Sequence, residues 1–200
     1  MAPLIDVETA IAALDGGGIV GVPTDTVYGL AVEVLHPTAV SSLFEMKNRP
    51  VTLALPVLID SVEQISHLGV TWEGDAQRLG DAFWPGALTI VVIVPHDLAE
   101  RVGSLTDTIG FRIPDEPLLR QMLAVLGPLA VSSANRHGEP PCFSAHEVLA
   151  RFADRDDLAG VIDDGERSGA VSTVVDLSGP TRRMLRVGTI SDDDIAAVLS

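Results

Sequence analysis

The longest apolar stretch in this chain, "ALTIVVIV" at residues 87–94, has the length of a single β-strand and stops at Pro95. A membrane-spanning helix needs about 20 apolar residues in a row, so no span is expected. What remains is a fold of short buried strands and amphipathic helices. The other apolar runs obey the same limit. "GIVGVP" reads as a strand ending at Pro23, "LALPVLI" as a buried strand, and "TIGFRIP" as a short one. "PLAVSSAN" reads as a strand running into a polar loop, and "VSTVVDL" and "RRMLRVG" as neighbours joined by an "SGPT" turn.

Helical periodicity fills the gaps between these runs. "DVETAIAAL" reads as a helix with Asp6 as N-cap and Gly16–Gly18 as its stop. "TAVSSLFEMK" places Val40, Leu43, Phe44 and Met46 near one face and ends ahead of Pro50. A polar helix is read in "GDAQRLGDAF", and "PLLRQMLAVLG" is closed by Gly127. "SAHEVLARFA" opens on a capping box, Ser144 with Glu147, and "SDDDIAAVLS" is capped by Ser191. Strands and helices interleave irregularly, with no repeat and no linker. The expected class is therefore α/β: a single domain over residues 1–200, with an open, twisted, mixed β-sheet flanked by helices.

Composition sets the remaining bounds. A hydrophobic content of 46% with mean hydropathy +0.32 excludes a disordered chain. The single cysteine, Cys142, excludes an internal disulfide framework. The N-terminal "MAPLIDVETA" lacks the basic and apolar regions of a signal peptide, so the expected location is the cytoplasm. Thirteen Lys and Arg against 28 Asp and Glu leave a net charge of −15. That field repels polyanions, so tight direct nucleic-acid binding is not expected. It also makes any local basic pocket informative, because its cations are few. Only one of them is a lysine, Lys47; the other twelve are arginines.

Five polar stretches sit where strands or helices end: residues 23–30, 47–50, 108–114, 132–135 and 171–188. Ligands of open α/β sheets collect in the crevice at such ends. Hydroxyls, side-chain amides and arginines gather there, which suits phosphate and carboxylate oxygens. Each stretch alone has a plainer reading. "PTDT" also reads as a strand-terminating turn and "SSAN" as an N-cap cluster. Arg112 and Arg186 also read as exposed sheet-edge charges. Lys47 and Arg49 also read as complements to a helix dipole, although arginine would serve a dipole equally well. No Walker loop, serine-hydrolase elbow or standard zinc set is present, and the nearby His137, Cys142 and His146 match no ligand spacing. No metal site is expected.

Taken together and in order, "PTDTVYGL", "KNRP", "WPGALT", "RIP", "SAN", "STVVD" and "LRVG" resemble the YrdC-like family, over about residues 8–190. Its core members are threonylcarbamoyl-AMP synthases, and the chain is similar to the short form of the family. The resemblance implies a sheet with a central concave ligand cavity. It implies nucleotidyl transfer in which threonine, bicarbonate and ATP give L-threonylcarbamoyl-AMP and pyrophosphate for tRNA modification. Lys47 and Arg49 would be catalytic, with Arg49 also on ATP. Thr26, Arg112, Ser133 and Ser172 would hold threonine. Thr108, Asn135 and Arg186 would hold ATP, with Mg2+ carried on its phosphates. A tRNA threonylcarbamoyl transferase would be the downstream partner. The chain departs from the family pattern at Leu53, where a second lysine is usual, and at His137, where a serine is usual. Two other readings stand beside the enzyme: a non-catalytic paralog that binds a nucleotide or RNA, and an adenylating enzyme for another amine.

Overall fold

The computed structural model describes residues 2–36, 38–50, 54–169 and 171–200. Nine strands form one sheet: β1 (Ile19–Pro23), β2 (Tyr28–Glu33), β3 (Val57–Leu58), β4 (Leu88–Ile93), β5 (Thr108–Arg112), β6 (Leu129–Ser133), β7 (Leu158–Val161), β8 (Thr173–Asp176) and β9 (Arg183–Arg186). Their order is β7-β1-β2-β6-β3-β5-β4-β8-β9. Three pairings, β1 with β7, β3 with β5 and β4 with β8, are parallel, and the rest are antiparallel. The mixed α/β sheet expected from the sequence is the observed one.

Among the described residues, eight helices flank it: α1 (Val7–Asp15), α2 (Ala39–Lys47), α3 (Val62–His67), α4 (Gly74–Phe83), α5 (His96–Arg101), α6 (Pro117–Leu126), α7 (Ala145–Arg151) and α8 (Asp192–Leu199). Local chemistry sets several of their ends. The Asp6 carboxylate accepts from the Thr9 amide at 2.8 Å to open α1. Asn48, at φ 50°, turns the chain left-handed at the end of α2. Ser191 and Asp194 complete a reciprocal capping box on α8. The box expected on α7 is only half made. Ser144 Oγ accepts from the Glu147 amide at 3.2 Å, but the Glu147 carboxylate reaches past Ser144 to the Phe143 amide at 2.7 Å.

Two strands escaped the sequence reading. The apolar part of β2 is hidden behind the polar "PTDT" turn, and β7 is only four residues long. The expected strand in "LALPVLI" shrinks to Val57–Leu58. Pro56 offers its carbonyl to the Val131 amide at 3.0 Å but has no N–H to continue a ladder.

The two faces of the sheet are clad unequally. On one, α2, α3, α4, α5, α7 and α8 bury a core that includes Leu43, Phe44, Leu79, Ile90, Phe111 and Val148. On the other, α1 and α6 cover only the β1, β2 and β6 side, through Leu14, Leu119, Met122 and Leu123 against Val20, Ala31 and Val131. Each of the Leu, Ile, Val, Met and Phe side chains contributes about 1.5–3 kcal/mol when fully buried. The uncovered remainder of that second face is where a ligand can lie.

Candidate active site

The open part of the face forms a cavity of about 570 Å³, within the range of small-molecule sites. Side chains alternate across a strand, so every second residue reaches it. Thr108, Gly110 and Arg112 line it from β5, Thr89 and Val91 from β4, and Val131 and Ser133 from β6. Thr26, Arg49, Asn135, Ser172 and Arg186 complete the polar wall. Eight of the nine residues singled out in the sequence thus meet around one cavity although they come from widely separated stretches.

Arg112 is not an exposed edge charge. It ends a central strand and is 6% exposed. Its Nε donates to the Gly86 carbonyl at 2.9 Å and Nη2 to Asp25 Oδ1 at 2.5 Å. Burial pulls its pKa down, and the Asp25 carboxylate opposes the shift. Arg49 donates Nη2 to the Ala54 carbonyl at 3.0 Å. Thr26 is fixed by its neighbour: the Thr24 hydroxyl contacts Thr26 Oγ1 at 3.0 Å, donates to the Val27 carbonyl at 2.6 Å and accepts the Thr26 and Val27 amides at 3.2 Å.

The "SAN" loop is tied to itself. Ser133 Oγ donates to Asn135 Oδ1 at 2.5 Å, and Asn135 Nδ2 donates to the carbonyls of Arg136 and Glu139 at 2.9 and 2.7 Å. Arg136 turns away from the cavity, with Nη2 on the Asp154 carboxylate at 2.6 Å and its guanidinium over the Phe152 ring. It therefore does not stand in for the second lysine that the family resemblance leads one to expect at position 53. Leu53 itself lies outside the described residues. His137 is exposed and is not part of the cavity lining.

Lys47 occupies a place that sequence alone did not indicate. It is 2% exposed, at the end of α2, and lies behind the cavity wall rather than on it. Its ammonium donates to the carbonyls of Ser133 and Asn135, while its own carbonyl accepts the His137 amide at 2.8 Å. The sole lysine thus holds the loop that supplies two lining residues. Burial, then the Arg49 charge, pushes its pKa from 10.5 to about 7, with Cys142 opposing. Cys142 is itself buried, its thiol raised to about 11 first by burial.

Several contributors were not singled out in the sequence. Asp25, the partner of Arg112, was hidden inside a turn motif, and an acid between two threonines is the signal that would have found it. Thr89 and Gly110 are revealed only by strand register. A Cβ on Gly110 would lie 2.8 Å from Thr89 Cγ2, so glycine keeps the cavity floor low. Gly110→Val is expected to fill that floor and weaken threonine and ATP, the two ligands that the family resemblance implies, at least about tenfold, roughly 1.4 kcal/mol each. Unchanged binding of both in calorimetry would show that ligands lie elsewhere.

Comparison with known proteins places this geometry. The chain belongs to the Sua5/YciO/YrdC family, whose model, described as "Telomere recombination", matches residues 12–188. A protein of Mycobacterium tuberculosis is 37% identical over 194 residues, covering 96% of this chain and 88% of its own. The threonylcarbamoyl-AMP synthase of Bacillus subtilis is 34% identical over 196 residues, 96% of this chain and 56% of that one. Among solved structures, P. abyssi Sua5 complexed with L-threonine superposes with a TM-score of 0.89 at 34% identity, over 96% of this chain and 57% of that one. The chain thus spans little more than half of those two longer relatives. E. coli YciO shares the fold, with a TM-score of 0.81 at 22% identity over 94% of both chains.

Proposed function

We propose that this protein makes L-threonylcarbamoyl-AMP and pyrophosphate from L-threonine, bicarbonate and ATP, as a threonylcarbamoyl-AMP synthase serving tRNA modification. The observation that carries the reading is the convergence of Arg49, Arg112 and Arg186 on one cavity of a strongly acidic protein. All three reactants present anionic oxygens, and cations that face one cavity are what their joint binding requires. The relatives named as threonylcarbamoyl-AMP synthases and the threonine-bound neighbour support the same assignment.

The chemistry proceeds in two steps. The threonine amine joins the carbon of bicarbonate with loss of water, giving a carbamate. A carbamate oxygen then attacks the α-phosphorus of ATP, the bond from that phosphorus to the bridging oxygen breaks, and pyrophosphate leaves. No protein nucleophile is needed; positioning and electrostatics lower the barrier. Arg112 would take the threonine carboxylate, with Thr26, Ser133 and Ser172 around it. Arg49, Thr108, Asn135 and Arg186 would hold the nucleotide. Lys47 would act through the Ser133–Asn135 loop, placing a positive charge behind the wall that the phosphates meet. Magnesium would enter as MgATP, held by phosphate oxygens: Glu139, the one carboxylate among the described lining residues, is paired with Arg151 at 2.6 Å.

The product is a mixed anhydride of a carbamic and a phosphoric acid, so a tRNA threonylcarbamoyl transferase would consume it, in the cytoplasm. The test is pyrophosphate release. Release that requires threonine and bicarbonate together is expected. Release without threonine would instead identify another amine as substrate, and ATP binding without release would mark a ligand-binding paralog.

A further inference from the structure

Arg186 and Ser172 enter the proposed reaction in different subsites, Arg186 with the nucleotide and Ser172 with threonine. In the structure they are one unit. Arg186 Nε donates to the Ser172 carbonyl at 2.8 Å and Nη2 to Ser172 Oγ at 2.8 Å. The grip depends on a β-bulge. Val175 pairs with Met184, but Val174 then pairs with Arg186, so Leu185 is the extra residue of β9. With regular pairing Arg186 would stand opposite Thr173, whose side chain points to the opposite, fully buried face. A slip of one residue exchanges faces. The bulge therefore swings Arg186 onto the cavity side with Val174. Gly188 completes the approach: a Cβ there would sit 2.0 Å from the Val171 carbonyl oxygen, so only glycine lets the end of β9 close on residues 171–173.

The contact decides what Ser172 can offer a ligand. One lone pair of its hydroxyl is occupied by Arg186, so its own hydrogen must be given elsewhere. The alternative acceptor, Thr89 Oγ1, is distant at 3.4 Å, beyond a good O–H···O bond. Ser172 is thereby left as a donor toward the cavity, the role that suits a carboxylate oxygen. Meanwhile Arg186 Nη1 has no hydrogen-bond partner among the described residues and remains available to a second anion.

We infer that Arg186 is a positioning residue for the amino-acid subsite, acting through Ser172, as well as a nucleotide contact. The inference rests on the assignment of threonine to the Ser172 side of the cavity. Loss of orientation and loss of positive charge work in the same direction, so the sign is unambiguous.

The test measures L-threonine binding to the full chain by calorimetry without nucleotide. Arg186→Ala is expected to weaken threonine about tenfold, the scale of one charge-assisted hydrogen bond. Ser172→Ala should cost a similar factor, and the double variant little more than either single change, because both remove the same donor. Arg186→Lys, which keeps the charge and can reach one acceptor, should recover part of the loss. An unchanged threonine affinity in Arg186→Ala overturns the inference, and so do fully additive losses, which would mean that the arginine acts only as a distant charge. If Arg112→Ala and Ser172→Ala both leave threonine binding intact, the subsite assignment itself has failed. If only the Arg186 variants bind normally, the assignment stands and the inference falls.

Discussion

Lys47→Arg is expected to lower pyrophosphate release at least about 100-fold, roughly 2.7 kcal/mol of barrier, in a protein that still folds. The reason is geometric. The Lys47 ammonium is a compact point charge whose donors meet two carbonyls, of Ser133 and Asn135, in a slot that is 98% closed to solvent. A planar guanidinium is larger, spreads its charge and directs its donors in a fixed fork. It would displace the loop on which Ser133 and Asn135 line the cavity. Near-normal release from the variant, with an unchanged circular dichroism spectrum, would sink this account.

The same lysine is expected to make the reaction sensitive to pH. With its pKa held near 7, the ligand-free protein loses the ammonium as pH rises through that value. The wild-type rate at limiting substrate should therefore fall on the alkaline side of about pH 7, and the limb should be absent from the residual activity of Lys47→Arg. Stability moves in the opposite sense. The folded pKa lies below the unfolded 10.5, so unfolding takes up a proton between about pH 7 and 10.5. The contribution of this group to stability consequently grows as pH rises through that window.

Arg112→Ala is expected to weaken threonine roughly 100-fold while changing ATP affinity only a few-fold. Loss of a desolvated charge-assisted pair accounts for about 1.5–3 kcal/mol. Asp25, 13% exposed in its side chain, is then left without its guanidinium partner beside the incoming carboxylate. At a separation of ~6 Å and an effective dielectric near 20, such repulsion amounts to roughly 3 kcal/mol before screening. Adding Asp25→Asn to Arg112→Ala should therefore restore part of the threonine affinity. Calorimetry that finds equal losses for threonine and ATP in Arg112→Ala would contradict the assignment.

Much of this site was legible in the sequence. Turn chemistry, caps and strand-ending prolines are local, so β1, α1, α2, α6 and α8 could be read from a few residues each. The motifs were legible for a related reason: ligand-binding side chains sit where elements end, and the punctuation that ends an element is itself visible. Where the reading failed on local detail, the cause was a choice between neighbouring partners that spacing does not decide. The half-made cap on α7 arises because Glu147 finds the Phe143 amide instead of the Ser144 amide, a choice made by side-chain geometry rather than by spacing.

The sequence by itself determined the class of fold, the residues available for the chemistry and the scarcity of cations that makes them conspicuous. These follow from hydrophobic period, residue type and chain order. Only the tertiary structure decided what each residue faces. Strand order brought Thr108 and Arg112 between β3 and β4, and unequal helix cover left their face open. A single bulge put Arg186 on that face and onto Ser172. Packing of α2 against the loop after β6 drew Lys47 out of water and behind the cavity wall. Facing is set by pairing between segments distant in the chain, and a one-residue slip reverses it; nothing in a residue's own neighbourhood encodes that outcome.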